Sequence, residues 1–159
     1  MVSSGTKSVI HVTIAYIILY YAFLYTQSFI AWFRYFKAKA TNKDKDKPVK
    51  FNAIKYDKAQ GDKLSLTGDR TVGNLMEQAI PFLTSLWLCA TYGSPEYASK
   101  IGWIYVITRS YYPFAFYYGL PYLLFSTIPG YLCITALLYN AITSYGNEIH
   151  GTYSRWIPL

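Results

Sequence analysis

No charged residue occurs between Lys7 and Arg34. The run Ser8–Phe33 is longer than the roughly 20 residues an α-helix needs to cross a bilayer, and too long for the apolar core of a signal peptide. No small-residue cleavage site follows it, so it reads as a retained first membrane helix. Charge is segregated along the rest of the chain too. Of the 15 lysines and arginines, ten lie from Lys37 to Arg70, together with five of the eight acids. Most of the net charge of +7 therefore belongs to this one segment, and only 14% of all residues are charged, against roughly 25% in an average soluble domain.

Four segments are expected to span the membrane in a single domain covering 1–159, at about 9–36, 71–92, 100–118 and 122–145. Gly93-Ser94-Pro95-Glu96 and Gly119-Leu120-Pro121 are short turns. Neighbouring helices joined by short turns pack antiparallel, so the expected fold is an all-α, integral membrane four-helix bundle. Pro129-Gly130 marks a kink in the last helix. The lysine-rich loop 37–69 is expected on the cytosolic, matrix or stromal side of an organelle membrane (mitochondrial, plastid or endoplasmic reticulum). Its run Lys43-Asp44-Lys45-Asp46-Lys47 reads as solvated surface. The loop lacks aromatic interleaving, so no nucleic-acid partner is expected. Membrane lipid is the expected surrounding.

Eighteen tyrosines are present. Several fall mid-helix, including Tyr16, Tyr20, Tyr21, Tyr105, Tyr111 and Tyr112. A hydroxyl at bilayer depth needs a hydrogen-bond partner, which favours contacts between helices or subunits. Cys89 and Cys133 sit singly in apolar runs and read as buried inert thiols. His11 and His150 lack matching ligands, so no metal site is expected.

The second helix carries residues that an apolar helix should avoid. At 100° per residue, Asn74, Glu77 and Pro81 lie about 40°, −20° and +20° from Arg70. Ionisable groups at membrane depth face a bundle interior or a watery cavity. The stripe thus builds a polar site or holds the bundle together. Arg109, near the middle of the third helix, needs a counter-charge, and Glu77 is the expected partner in a structural intramembrane pair.

Arg70-x3-Asn74-x2-Glu77-x3-Pro81-Phe82, followed by a turn and by Arg109 in the next helix, resembles the MAPEG family, the membrane-associated proteins in eicosanoid and glutathione metabolism. The resemblance extends over all four helices. It implies a trimer of four-helix protomers with glutathione bound between neighbours. Arg70, Asn74 and Glu77 match glutathione-contacting positions. Arg34 matches a basic position contributed by the neighbouring subunit, and Tyr112 a tyrosine that also touches the tripeptide. Glutathione has two carboxylates and an amine, which suits arginines and a glutamate.

The departures bear on activity. Gln78 stands where one branch of the family has a tyrosine, and Phe116 where many members have another. Active members carry an arginine at the start of the fourth helix, held to lower the thiol pKa. Here that region reads Gly119-Leu120-Pro121-Tyr122-Leu123-Leu124-Phe125-Ser126-Thr127, and no lysine or arginine lies between Arg109 and Arg155. Ser126, Tyr117 and Tyr122 are the only polar substitutes. The expected function is a non-catalytic accessory subunit of a larger membrane complex, without a catalytic residue or cofactor. The alternative is a glutathione-dependent transferase or peroxidase acting on lipophilic electrophiles. Partners are other membrane subunits, or two further copies in a homotrimer.

Overall fold

The computed structural model describes residues 4–42, 48–52 and 63–156, with residues 148–156 described by their backbone alone. The run Lys43–Lys47 and the His150 side chain lie outside the described residues. Five helices make up the described chain: α1 (Ser4–Thr41), α2 (Lys63–Tyr92), α3 (Pro95–Ser110), α4 (Tyr112–Tyr118) and α5 (Tyr122–Trp156). No strand occurs among the described residues.

α1, α2 and α5 are each longer than the expected span. α1 and α2 extend into the expected loop, to Thr41 and from Lys63, because the lysine-bearing flanks there contain good helix formers and no proline. Residues 37–41 and 63–69 of the expected loop are therefore helical. α1 and the Tyr122–Asn147 part of α5 are long and apolar enough to cross a membrane. α2 carries its polar stripe and α3 is only 16 residues long, which keeps both below that measure.

The expected third helix is two. It starts at Pro95, earlier than expected, because Ser94 caps it: the Ser94 Oγ accepts from the Tyr97 N–H at 3.2 Å. It breaks at Tyr111 (φ −94°, ψ 2°). Pro113 has no N–H to offer the Arg109 carbonyl, and the Tyr111 N–H turns to that carbonyl instead. α4 ends at Gly119, whose φ of 83° only glycine adopts without strain. The Leu120–Pro121 peptide is cis, and α5 follows.

Pro129 sits inside α5 without ending it. Its missing N–H leaves the Phe125 carbonyl without its helical donor, and the Tyr111 hydroxyl donates to that carbonyl. A tyrosine of the α3–α4 junction thus covers the gap made by a proline on α5.

The core gathers Val9, Val12 and Tyr16 of α1, Leu75, Phe82, Leu86 and Cys89 of α2, Ala98, Tyr105 and Val106 of α3, and Cys133, Ile134, Leu137 and Ala141 of α5. Both cysteines are buried. All four buried residues of α1 lie at or before Tyr16. Beyond it, Tyr21, Tyr25, Phe29, Trp32 and Phe33 are exposed. The second half of α1 therefore leaves the core of its own chain while staying apolar.

Candidate functional site

The polar centre of the chain is Arg109. It is 1% exposed and points from α3 toward the inward face of α2. That face is set by apolar spacing. Thr71, Leu75, Gln78, Phe82, Ser85 and Cys89, all buried, lie within about 60–140° of the Arg70 direction on the helical wheel. Arg109 Nη1 donates to Asn74 Oδ1 at 2.9 Å, and Nη2 donates to Gln78 Oε1. The same Gln78 oxygen accepts from the Tyr105 hydroxyl at 3.2 Å. Arg109 Nε, Gln78 Nε2 and Thr71 Oγ1 make no hydrogen bond among the described residues.

Aromatic rings frame this cluster. The Phe82 and Tyr105 rings stack at 3.8 Å with 9° between planes. Tyr16 leans on Phe82 at 5.1 Å and donates to the Leu75 carbonyl at 3.0 Å. The Arg109 guanidinium carbon lies 5.3 Å from the Tyr105 ring and 5.9 Å from the Tyr112 ring, within cation–π range. The mid-helix tyrosines Tyr16, Tyr105 and Tyr111 thus find partners on other helices, as their depth requires.

α5 closes the cluster with a glycine. A Cβ on Gly130 would meet Arg109 Nη2, and would lie 2.8 Å from Cζ and 2.9 Å from Nε. The Pro129-Gly130 pair, read from sequence as a kink, is where the guanidinium packs directly on backbone.

This corrects the expected Glu77–Arg109 pair. Glu77 is exposed, and among the described residues no ion pair joins it to Arg109. The reason is angular. Glu77 lies about 100° from Gln78 around α2, well away from the inward face. Arg109 is held by two neutral amides, and of the stripe only Asn74, at its inward edge, reaches it.

The remaining stripe residues face outward. Arg70, Glu77 and Pro81 are exposed, Asn74 is half-buried, and Tyr112 is buried beside them. Arg34 lies elsewhere. Its Nη1 donates to Ser65 Oγ at 3.0 Å, and Ser65 sits about 140° round α2 from Arg70. One chain therefore does not bring Arg34 to the stripe. Ser126, a polar substitute for the missing arginine, is 0% exposed and donates to the Thr108 carbonyl at 2.6 Å. Tyr117 and Tyr122 are exposed.

A family model for the MAPEG family matches residues 13–143, from the first third of α1 through most of α5. The chain belongs to the MAPEG family. No curated protein matches it. MAPEG proteins are membrane helical bundles, and the two long apolar helices agree with that placement. The MAPEG match also spans the whole Arg109 cluster, from Tyr16 to Gly130.

Reading the sequence missed Gln78 as a clasp residue, treating it only as a departure from the family pattern. It also missed Gly130. Projecting Leu75, Phe82, Leu86 and Cys89 on one wheel would have shown that Gln78, and not Glu77, shares the core direction. Nothing local to Gly130 signals its contact with a residue 21 positions earlier. Among the described residues, no group of three or more His, Cys, Asp or Glu side chains could hold a metal ion.

Proposed function

We propose that this MAPEG protein is a non-catalytic membrane subunit that packs, through its exposed apolar helices, into a larger membrane assembly. The observation that carries this reading is at the start of α5. The family resemblance calls for a cation there to lower a thiol pKa. The segment has none, and its one buried hydroxyl, on Ser126, is committed to the Thr108 carbonyl. The buried arginine of α3, Arg109, is enclosed and bonded to Asn74 and Gln78.

In this reading α3 and α4 act together as the third member of an antiparallel four-helix bundle. Contacts of rising against falling residue number support that arrangement, as in Tyr16 with Leu75, Gln27 with Asp69, and Arg34 with Ser65. Exposed aromatics on α1 and α5, among them Tyr25, Phe29, Tyr131 and Tyr139, offer the surface for lipid and partner helices. The partners are other membrane subunits, or two further copies as in the family's trimer. The basic segment between α1 and α2 favours an organelle membrane with that segment on the cytosolic, matrix or stromal side.

One observation favours a second reading. Arg70 and Glu77 are exposed beside Asn74 and Tyr112, as a glutathione pocket completed by a neighbour's Arg34 requires. That pocket would make the protein a glutathione-dependent transferase or peroxidase. Calorimetry on the purified protein separates the two. The accessory-subunit reading expects no saturable heat with glutathione at millimolar concentration. Binding that is lost in Glu77→Gln and Arg70→Ala would refute it in favour of the enzyme.

A further inference from the structure

Glu77 is exposed in this chain, and it lies deep. It is the fifteenth of the 30 residues of α2. Gln27 meets Asp69 and Tyr16 meets Leu75 across α1 and α2, which sets Glu77 level with about residues 14–19 of α1. That stretch lies inside the charge-free run from Ser8 to Phe33. Ionisable groups at such a depth face a bundle interior or a watery cavity. Glu77 turns away from the interior of its own chain, where Asn74 and Gln78 take Arg109. Lipid is a poor neighbour for it, so another polypeptide has to cover it.

The surface around Glu77 is shaped for a helix. Gly73 is one turn before it, and a Cβ on Gly73 would meet nothing within 4 Å. A glycine on an open helix surface leaves a notch where a second backbone can come close. Ile80 is 78% exposed, and Thr84 is exposed as well. Gly73, Glu77, Ile80 and Thr84 fall within about 60° of one another on the helical wheel and form a strip about 16 Å long.

A second copy of the chain does not bring a cation to this strip. Copies in one membrane share one orientation. The axis relating them in a ring then runs along the membrane normal, and every residue keeps its depth. Two α2 strips packed on each other would set Glu77 against Glu77, and like charges side by side are costly. Elsewhere on the copy, no lysine or arginine lies between Lys7 and Arg34 or between Arg109 and Arg155, and Arg109 is buried. With the Tyr105–Gln78 bond as a level mark, Lys100 is about 9 Å from the depth of Glu77 toward one surface. Arg70 is about 10 Å from it toward the other. Long cationic side chains reach outward to the interface and not back to the midplane.

We propose that this strip of α2 docks a transmembrane helix of another polypeptide that carries a lysine or arginine at the depth of Glu77, with its backbone seated on Gly73. The inference rests on the reading of the protein as a subunit of a larger membrane assembly, and adds which face meets the partner and by what chemistry. Between two helices and away from water, such a charge pair is far stronger than at an aqueous surface.

Photocrosslinking in native membranes tests it, with a photoreactive residue at Ile80 or, in a separate protein, at Tyr139 of α5, which is 71% exposed. The Ile80 probe is expected to label one foreign polypeptide, on a membrane helix with a lysine or arginine within a turn of the crosslink. Glu77→Lys sets like charges together and is expected to lower that yield at least roughly tenfold. Gly73→Leu is expected to do the same by filling the notch. It should leave the Tm of the isolated protein in detergent unchanged or higher, because leucine is the better helix former and the space is open. A lost partner is thereby told from a lost fold. Labelling of lipid or of a second copy alone from Ile80 would overturn the proposal, as would a labelled helix without a base at that depth, or an unchanged yield in Gly73→Leu. If Tyr139 still labels foreign subunits, the accessory-subunit reading survives that failure; if neither position does, both fall. Glutathione binding that is lost in Glu77→Gln would also overturn the proposal, by assigning the carboxylate to the tripeptide's amine.

Discussion

Replacing Gly130 with alanine should destabilise the protein, although the same change in a helix interior normally does the reverse. Glycine costs a helix about 1 kcal/mol relative to alanine, so Gly130→Ala starts with a gain of that size. Against it stands the space. All three of the nearest atoms to the new Cβ belong to the Arg109 guanidinium, with Cζ at 2.8 Å and Nε at 2.9 Å. The guanidinium is poorly placed to yield, being buried and bonded to Asn74 and Gln78. Overpacking costs about 1–3 kcal/mol. Displacing the guanidinium also weakens a hydrogen bond to a charged group, at about 1.5–3 kcal/mol. The net is a loss of about 1.5–5 kcal/mol, or a fall in Tm of roughly 3–20 °C for a chain of this size. Thermal unfolding in detergent, followed by tryptophan fluorescence, measures it. Gly146→Ala is the control, because a Cβ there meets nothing within 4 Å. It should be neutral or raise Tm. In an Arg109→Leu background the Gly130→Ala penalty should shrink, since the clashing atoms are gone. If Gly130→Ala stabilises the protein as much as Gly146→Ala does, the packing of Arg109 on the α5 backbone is wrong.

Two further outcomes test the interior. Gln78→Leu removes a partner of both Arg109 and Tyr105 and leaves a buried cation underbonded, so it should cost about 3–5 kcal/mol. Glu77→Gln, at an exposed position, should change stability by no more than about 0.5 kcal/mol. The reverse order in thermal unfolding would restore the Glu77–Arg109 pair. Tyr111→Phe leaves the Phe125 carbonyl bare and should lower stability by about 1–3 kcal/mol. Adding Pro129→Ala returns a helical N–H to that carbonyl, so the double variant should recover most of the loss in the same assay.

The parts of this fold legible in sequence are those set by short-range pattern. The charge-free run before Arg34 and the Gly119 stop each follow from a few neighbouring residues, and the structure places helices accordingly, whereas Ser94-Pro95 reads as part of a turn and proves to be a capped helix start. Helix ends inside the lysine-rich region were not legible, because lysine and alanine suit a helix as well as a solvated loop. The break at Tyr111 was hidden by a run of aromatics that reads as continuous apolar helix, though Pro113 marks it. The Arg109 clasp was half legible. That a buried arginine needs a partner on α2 followed from charge alone. Which partner depended on helix rotation, and there the attraction of opposite charges pointed to Glu77 while the apolar spacing pointed to Gln78.

The stripe on α2 posed a choice between a site and a clasp, and Asn74 shows that the two need not exclude each other. An amide has an acceptor end and a donor end. Asn74 gives its oxygen to Arg109, and its half-buried position lies between the inward face and the outward stripe. Gln78, one turn on, uses its oxygen twice for the interior. The interior arginine is thus satisfied by oxygen atoms of neutral amides, and the carboxylate of Glu77 is not consumed in holding the bundle together. A clasp built on Glu77 would have removed from the outer face the one acid suited to an amine. Because the clasp is built on amides, Arg70 and Glu77 stay available at the surface whether the protein binds glutathione or only another helix, and stability and surface chemistry can be altered separately. That separation makes the Glu77→Gln variant informative: a change in binding with no change in stability reports on the surface alone.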